Sequence, residues 1–426
     1  MRAAHLLLSL CLLSLSCTHR AAERCADSWQ PQPPSQTFPR GFGVNIHFTD
    51  PEPGEIKMIA DAGFRWVRMD FKWDLTEQVR GRYDFSPYER LTKALDEHGI
   101  RALFILDYGN PLYDNGAPPR TEAARRAFAQ WAVAVAKHFS GRGIIWELYN
   151  EPNHQLFWPP KPNVNEYIAL AQVVGRAWKA EVPGEMLIGP ATSAIDSEFL
   201  EACFKGGLLN YWNGVSVHPY RQTNPESVAD EYCVLRHTVA RYRTPSTSRE
   251  MPIVSGEWGY SSVWRGMNEQ IQGELLARQF LTNVANGIPI SIWYDWRDDG
   301  PDPREPEHHF GLVHHRHFPA RTPLYDPKPA YHAARTLNTF LNGYTFEKRI
   351  NVGSDSDYVL LFKSAGDYRI AAWTSSPVTH RVTLPGMTGA FMATTFTGAA
   401  TREPVSSTQG VTLEISSAPI YLTARK

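Results

Sequence analysis

The sequence predicts an α/β fold, a (β/α)8 TIM barrel followed by a C-terminal antiparallel β-sandwich. Short apolar runs alternate eight times with helix-like stretches over about 300 residues, and such a barrel typically needs ~250. After about residue 344 the pattern changes to short alternating runs broken by Gly, Pro and Ser, which is typical of a sandwich. The length of 426 residues suits one large barrel with a smaller second domain.

The predicted elements follow this alternation from residue 41 to the end of the chain. The predicted barrel strands are 41–48, 64–70, 101–109, 144–150, 186–192, 214–220, 251–258 and 288–296. The predicted helices are 55–62, 88–98, 121–139, 165–180, 197–205, 226–243, 268–286 and 329–341. The predicted sandwich strands are 357–364, 367–375, 381–384, 390–397, 411–415 and 420–424.

The first 17 residues predict an export signal. Arg2 supplies the positive charge, and an apolar stretch over 6–15 precedes Ser16-Cys17. About ten apolar residues are too few to span a bilayer, which needs roughly 20. A small residue before Cys17 is typical of a bacterial lipoprotein signal, whereas Ser14 departs from that pattern, so lipidation and simple cleavage both stay open. We expect a periplasmic or extracellular protein, with a tether at 18–40, a barrel at 41–343 and a sandwich at 344–426.

Composition narrows the range of partners and cofactors. The 43 basic and 44 acidic residues leave no basic excess, so a nucleic-acid partner is not expected. The five cysteines show neither zinc-binding nor redox spacing, and we predict no metal and no cofactor. The 13 tryptophans include several beside polar strand ends, as expected for a cleft that stacks sugar rings. A polysaccharide or oligosaccharide substrate is therefore favoured. The oligomeric state stays open, with a monomer favoured.

Two glutamates end buried apolar runs. Glu151 follows strand four in Ile144-Ile145-Trp146-Glu147-Leu148-Tyr149-Asn150-Glu151-Pro152, and Glu257 ends strand seven in Ile253-Val254-Ser255-Gly256-Glu257. Catalytic groups of such barrels come from the C-terminal ends of the strands. A buried carboxylate is costly unless it is paired or has a chemical task. Two facing carboxylates are the minimum required to cleave a glycosidic bond.

The surroundings of the two glutamates suit different protonation states. The charge of Glu257 is expected to raise the pKa of Glu151, whereas Arg68 and Tyr220 are expected to keep Glu257 ionised. Asn150 is placed to bind a sugar hydroxyl next to the reacting carbon. Covalent catalysis requires carboxyl groups ~5–5.5 Å apart, and single displacement requires ~6.5–9.5 Å. Further candidates at the predicted barrel mouth are Asn45, His47, His218, and Trp158 in the Pro-rich loop after strand four.

These motifs resemble clan A of the retaining glycoside hydrolases. The similar segments are Asn150-Glu151-Pro152, His218-Pro219-Tyr220, Glu257 with Trp258, and Trp293 on strand eight. Trp146 to Asn153 and Ser216 to Tyr220 look most like family 39. The wider pattern, with the appended sandwich, is similar to endoglycosidases of biofilm exopolysaccharide operons over roughly residues 41–426.

The resemblance implies a role for each matching residue. Glu151 is implied as acid/base and Glu257 as nucleophile. Asn150 is implied to bind the sugar 2-hydroxyl, and Trp293 to form the floor of the −1 subsite, with a cis peptide after it. Arg68 and Tyr220 are implied to orient the nucleophile. Tyr149 stands where many members have Trp, and the histidine-rich segment at 308–317 has no counterpart, so substrate specificity stays open.

Several alternatives compete with the leading hypothesis of an endo-acting retaining glycosidase. An exo-acting enzyme of the same clan shares every motif, and a catalytically idle glycan-binding or polysaccharide-export accessory protein needs no glutamate pair. An amidohydrolase-type metalloenzyme is less favoured, because such barrels carry a histidine pair on strand one, where this chain has only His47. Glu147, four residues before Glu151, is interpreted as a buried, paired structural residue. The histidines considered for a metal site are His308, His309, His314, His315 and His317.

Overall fold

The structure is a computed structural model that describes residues 40–244, 251–401 and 403–425. Eight parallel strands form a closed barrel in sequence order, with β1 paired to β8. The strands are β1 Gly41–Asn45, β2 Trp66–Lys72, β3 Arg101–Asp107, β4 Ile145–Leu148, β5 Met186–Ser193, β6 Gly214–His218, β7 Ile253–Trp258 and β8 Ile290–Trp293. The predicted TIM barrel is confirmed. The export signal predicted at 1–17 lies outside the described residues, as does the predicted tether apart from Arg40.

Helices cover the outside of the barrel. They are α1 Glu55–Asp61, α2 Trp73–Thr76, α3 Ser86–Asp96, α4 Glu122–His138, α5 Val164–Glu181, α6 Ser197–Lys205, α7 Val228–Tyr242, α8 Glu269–Ala285 and α9 Pro329–Leu341. None of the described helices has the length and apolar character needed to cross a membrane.

Helix α4 illustrates why these segments fold as they do. Thr121 precedes the helix and its side chain accepts a hydrogen bond from the backbone N–H of Ala124, which satisfies one of the free amide groups of the first turn. Phe128, Trp131 and Val135 are spaced three and four residues apart and are fully buried, so one apolar stripe faces the strands. Burial of each such side chain stabilises the fold by roughly 1.5–3 kcal/mol.

The barrel interior is packed in layers of side chains. Its lower part is a separate apolar cluster contributed by six strands, consisting of Trp66, Leu103, Ile145, Ile188, Val254, Ile290 and Ile292. Above this layer the inward positions become polar. Arg68 on β2 and Glu147 on β4 are both fully buried there, beneath the C-terminal ends of the strands. The interior is therefore a solid core that supports a polar mouth.

The C-terminal part forms two antiparallel sheets. One sheet has the order β11-β12-β13-β18-β15 and the other β14-β17-β16, so the predicted sandwich is confirmed. The strands are β11 Thr345–Arg349, β12 Asp357–Ser364, β13 Asp367–Thr374, β14 His380–Pro385, β15 Phe391–Thr395, β16 Val405–Ser407, β17 Gly410–Ile415 and β18 Ile420–Ala424. Strands β11 and β16 were not predicted, because their sequences are largely polar and exposed.

The larger sheet is buried on both faces. Val359 and Leu361 of β12 face the smaller sheet, whereas Leu360 and Phe362 join the core that is continuous with the barrel. Such alternation follows from the two-residue period of a strand. Trp373 of β13 donates its indole N–H to Glu226, 2.6 Å away and next to α7. The sandwich thus packs on the outside of the barrel.

The chain after β8 makes a long excursion before α9. It contains a short antiparallel pair, β9 Val313–His317 and β10 Tyr325–Pro327. The predicted histidine-rich loop is therefore partly a strand, and it forms one border of the barrel mouth.

Candidate active site

A cleft lies at the C-terminal ends of the barrel strands. Its wall combines carboxylates, amides and aromatic rings from most of the strands and the loops that follow them. The lining residues are Asn45, His47, Arg68, Asp70, Tyr108, Asn150, Glu151, His154, Leu156, Phe157, Ser193, Tyr220, Arg221, Gln222, Glu257, Trp264, Tyr294, Glu307 and Phe310. Both predicted glutamates therefore reach the same cavity.

Glu151 is held by a tight backbone turn after β4. Tyr149 has a φ of 68° and Glu151 a φ of 43°, a left-handed conformation that costs a non-glycine residue of order 1–3 kcal/mol and concentrates at functional sites. The backbone N–H of Glu151 donates to the carbonyl of Ala191 at 2.9 Å. This turn directs the Glu151 carboxyl into the cleft while only 8% of the residue is exposed.

Glu257 is held from two sides at the end of β7. Arg68 donates through Nη1 to Oε2 of Glu257 at 2.6 Å, and the hydroxyl of Tyr220 donates to Oε1 at 2.9 Å. The preceding residue must be small, because a Cβ at Gly256 would lie 2.4 Å from Ser216 Oγ and 2.9 Å from Glu147 Oε1. The carboxylate of Glu257 therefore has a fixed orientation and two hydrogen-bond donors.

Arg68 connects the buried polar residues beneath the cleft. Its guanidinium is fully buried and donates to Glu147 Oε2 through Nε at 2.7 Å as well as to Glu257. Its Nη2 lies 2.8 Å from Asn150 Oδ1 and 3.1 Å from His218 Nε2. A buried charge requires such pairing. The prediction that Glu147 is a buried, paired residue is confirmed.

The contacts of His218 define its tautomer. A guanidinium can only donate hydrogen bonds, so Nε2 of His218, which faces Arg68, accepts. The proton of the neutral ring is then on Nδ1, which lies 2.9 Å from Oε1 of Glu151. Burial is the main cause that lowers the pKa of His218 to about 4, in agreement with a neutral ring. His218 therefore donates one hydrogen bond to Glu151.

The two glutamates lie close together in different surroundings. One carboxylate oxygen of each, together with a ring nitrogen of His218, lies within 4.8 Å of the others. Burial raises the pKa of Glu151 above its ordinary value, and this increase persists although His154, Arg68 and Ser193 lower it. The predicted direction of the shift is confirmed, but its cause is desolvation and not the charge of Glu257.

The tryptophans predicted at the site lie elsewhere. Trp158 is fully buried, and its indole N–H donates to Glu166 at 2.9 Å, so it belongs to the core beneath the loop after β4. Its neighbour Phe157 lines the cleft and stacks on Tyr108 with ring centroids 5.6 Å apart. The expectation of a surface-stacking Trp158 is wrong, because the hydrogen bond to partly exposed Glu166 holds the indole in the core.

At strands seven and eight, too, the predicted tryptophans are buried and other aromatic residues line the cleft. Trp258 and Trp293 are both fully buried, and Trp293 donates to the carbonyl of Phe310 at 3.1 Å. The cleft is lined instead by Trp264 and Tyr294. The cis peptide expected after Trp293 is found one residue later, between Tyr294 and Asp295.

The remaining predicted residues are placed as follows. Asn45, His47, Asn150 and Tyr220 line the cleft, whereas His218 reaches it only through its contact with Glu151. Asp70, at the C-terminal end of predicted strand two, also lines the cleft and was not predicted as a site residue. Most of the other missed residues lie in loops, where no periodic pattern indicates which side chains face inward. They are Tyr108, His154, Leu156, Ser193, Arg221, Gln222, Glu307 and Phe310.

The histidine-rich segment does not collect into a metal cluster. In the ranges that the structure describes, three or more metal-ligating side chains meet at His47, Asp295 and Asp299 and at Glu151, His218 and Glu257. Neither group contains a histidine from 308–317. His309 and His315 instead contact backbone carbonyls of Asp302 and Asp298 at 2.8 and 3.0 Å.

Comparisons with known proteins agree with this fold and cleft. The cellulase family, glycosyl hydrolase family 5, matches residues 34–299. A family 39 glycoside hydrolase from the gut symbiont Bacteroides cellulosilyticus WH2 is 26% identical, with a TM-score of 0.77 over 91% of this chain and 81% of that one. No curated protein matches the chain.

More distant solved structures share the fold alone. A family 39 β-xylosidase from Caulobacter crescentus is 16% identical, with a TM-score of 0.64 over 93% of this chain and 98% of that one. A family 30 endoxylanase from Clostridium papyrosolvens C71 is 12% identical, with a TM-score of 0.64 over 91% and 97% of the two chains.

Barrel, sandwich and cleft together define a glycosidase of clan A, close to family 39. The chain belongs to the cellulase family of glycoside hydrolases, family 5. Membership implies a carbohydrate substrate and a retaining mechanism.

Proposed function

We propose that the protein cleaves a polysaccharide or oligosaccharide by double displacement, with Glu257 as nucleophile and Glu151 as acid/base. The observation that carries this proposal is the pair of carboxylates with oxygen atoms within 4.8 Å of one another. That approach suits the ~5–5.5 Å separation of carboxyl groups in covalent catalysis better than the ~6.5–9.5 Å that accommodates a water molecule.

In the first step Glu257 attacks the anomeric carbon while Glu151 gives its proton to the departing glycosidic oxygen. The elevated pKa of Glu151 favours the protonated form that this step needs. Oε1 of Glu151 accepts from His218, which leaves Oε2 to carry the proton toward the substrate. A glycosyl ester on Glu257 is the product of this step.

In the second step water attacks the same carbon and Glu151, now ionised, takes the proton of the water. The Nδ1–H of His218 stabilises the ionised Glu151 at this stage. Glu257 is neutral while it carries the sugar, and Arg68 keeps a counter-charge because it also binds Glu147 at 2.7 Å. Two inversions at one carbon give net retention.

Further residues are proposed to bind the sugar in the −1 subsite. Asn150 lies beside Glu151, and its Oδ1 accepts from Arg68, so its amide N–H is the group available to the 2-hydroxyl. Asn45 and His47 line the same wall. Tyr294 replaces Trp293 as the proposed aromatic floor.

Endo action is the favoured mode. Beside the two glutamates, the cleft is lined by His154, Leu156 and Phe157 from the loop after β4, and by Trp264 and Phe310 from the loops after β7 and β8. Aromatic rings from several loops suit sugar units beyond the cleaved bond. An exo-acting enzyme would instead release units of one size from the end of the chain.

The decisive experiment is a polysaccharide panel analysed for the size and anomeric configuration of the products. We expect oligosaccharides of several lengths with retained configuration, and complete loss of turnover in the Glu257→Gln variant. Monosaccharide as sole product would favour exo action. Turnover by Glu257→Gln would contradict the mechanism, and no cleavage by wild-type protein would favour a glycan-binding accessory protein.

Export is a second part of the proposal, based on residues 1–17. The full chain expressed in a bacterial host is expected in the periplasm or membrane fraction. A shift in mass and partition on Cys17→Ser would support lipidation, and unchanged partition would support simple cleavage. Retention in the cytoplasm would contradict export.

A further inference from the structure

A second group of ligating side chains lies at the rim of the cleft, separate from the two glutamates. His47 follows β1, and Asp295 and Asp299 follow β8, the strand paired with β1. One side-chain atom of each lies within 4.8 Å of the others. The backbone holds the two segments together, because the N–H of Trp296 donates to the carbonyl of Asn45 at 3.0 Å. The cluster therefore lies where the pairing of β1 with β8 closes the barrel.

Asp295 is the unusual member of this group. Only 1% of the residue is exposed, yet neither carboxylate oxygen accepts a hydrogen bond from any residue in the described part of the chain. Nε2 of His47 is 3.4 Å from Oδ2, beyond the usual length of a charge-assisted hydrogen bond. A buried acceptor without a donor indicates a missing water or ion.

Two neighbouring carboxylates, unlike Asp295, do have hydrogen-bond donors. Asp298 is equally buried, but its Oδ1 is 2.9 Å from Lys328 Nζ and accepts from the N–H of Gly311. In the other ligating group, Glu257 accepts from Arg68 and Tyr220. Both carboxylates have donors. In the described residues Asp107, at the end of β3, also lacks a donor on both oxygens, but it belongs to neither group of ligating side chains.

We propose that His47, Asp295 and Asp299 bind a divalent transition-metal cation of the zinc type. One imidazole nitrogen and two carboxylates form a mixed donor set suited to Zn²⁺ or Mn²⁺, whereas Ca²⁺ and Mg²⁺ prefer oxygen alone. Ligand atoms around a tetrahedral zinc stand roughly 3.3–3.6 Å apart. His47 and Asp299 are exposed and can rotate toward the buried Asp295 to reach that spacing.

The cation would complete the rim without taking part in the double displacement. It would join the ends of β1 and β8, and its remaining positions would be open to water or to a sugar hydroxyl, because His47 lines the cleft. The proposal goes beyond the glycosidase function, and either can fail without the other.

The test is isothermal titration of EDTA-treated full-length protein with ZnCl₂, repeated with MnCl₂, CaCl₂ and MgCl₂. We expect one Zn²⁺ per chain with a Kd of at most about 10 µM, and weaker binding of Ca²⁺ and Mg²⁺. Saturating Zn²⁺ should raise the Tm by about 3 °C. His47→Gln and Asp299→Asn should each weaken binding at least tenfold.

Two neighbours outside the proposed cluster provide matched controls. Asp302→Asn alters a carboxylate of the same loop, and His315→Gln alters a histidine of β9; both should leave the affinity for zinc unchanged. Melting curves in EDTA should be the same for all variants, which separates lost binding from lost folding. The absence of saturable zinc binding by wild-type protein would overturn the proposal and leave His47 and Asp295 as an ion pair. Wild-type affinity for zinc in both His47→Gln and Asp299→Asn would overturn it as well.

Discussion

Arg68 Nη1 and Glu257 Oε2 are 2.6 Å apart, and Arg68 is fully buried beneath the cleft. The same guanidinium binds Glu147, Asn150 and His218, so one side chain positions groups from β4, β6 and β7. Removing a partner from such a buried network is costly. The geometry of the proposed nucleophile therefore depends on residues that never contact the substrate.

Loss of the Tyr220 hydroxyl is expected to lower catalysis without unfolding the protein. In Tyr220→Phe, Oε1 of Glu257 loses a donor 2.9 Å away, and hydrogen bonds to charged groups are worth about 1.5–3 kcal/mol. We expect kcat/KM to fall roughly 10- to 100-fold. Tyr113→Phe is the matched control, since it removes a 2.8 Å hydroxyl contact to Glu77 outside the cleft; an equal loss there would contradict a specific effect.

The pH profile is expected to report Glu151. Because burial raises the pKa of Glu151, kcat/KM should fall as the pH rises through this elevated pKa and the acid loses its proton. Glu151→Gln should remove this basic limb when the substrate carries a good leaving group. Asp302→Asn should keep it, and a limb that persists in Glu151→Gln would assign it to another residue.

The same shift has a consequence for stability. A carboxyl whose folded pKa lies above its unfolded value stabilises the fold below the unfolded pKa and loses that contribution as the pH rises through the folded one. Glu151→Gln is therefore expected to unfold at a urea concentration no lower than wild type at pH 8. A clear destabilisation there would mean that the ionised side chain is held more favourably than its burial indicates.

His218 is expected to make the protein sensitive to acid. Its pKa is about 4 in the folded protein and about 6.5 when unfolded, so only the unfolded chain takes up this proton between those values. Stability should then fall by about 3 kcal/mol as the pH drops from 7 to 4. Urea unfolding of His218→Asn should show a smaller difference between the two pH values, whereas exposed His98→Asn should show the wild-type difference.

Substitutions of two tryptophans near the cleft are expected to have different effects, one on KM and the other on stability. Trp264→Ala should raise KM roughly 3- to 10-fold, the scale of one aromatic contact, with little change in the urea midpoint. Trp158→Ala should cost about 3–5 kcal/mol of stability, because Trp158 is fully buried between Tyr149 and Tyr167. If Trp158 affected KM alone, the placement of the two rings would be wrong.

The fold followed from sequence because its signals are local and periodic. Helix α6, Ser197–Lys205, and α9, Pro329–Leu341, begin and end at the predicted residues, and each barrel strand overlaps its predicted run. The positions of the strand-end glutamates, Arg68 and Tyr220 in one cavity also followed, because parallel strands bring their C-terminal ends together.

There is a physical reason why the sequence did not predict which aromatic side chains line the cleft. Whether Phe157 or Trp158 faces the cleft depends on Glu166, whose carboxylate lies 2.9 Å from the indole nitrogen of Trp158 and comes from the next helix. Strand eight offers Trp293 and Tyr294 side by side, and only the backbone decides which ring faces inward. Hydrophobicity predicts that an aromatic side chain is buried, but it does not predict which side chain of a loop lines the cleft.

Identification of the covalently labelled residue tests the central claim most directly. The aryl 2-deoxy-2-fluoro glycoside of a sugar that the protein hydrolyses should accumulate as a glycosyl ester, and peptide mass spectrometry should locate it on Glu257. Glu151→Gln should still be labelled at that position. A label on Glu151 or on any other residue would contradict the assignment of Glu257 as nucleophile and of Glu151 as its acid/base partner.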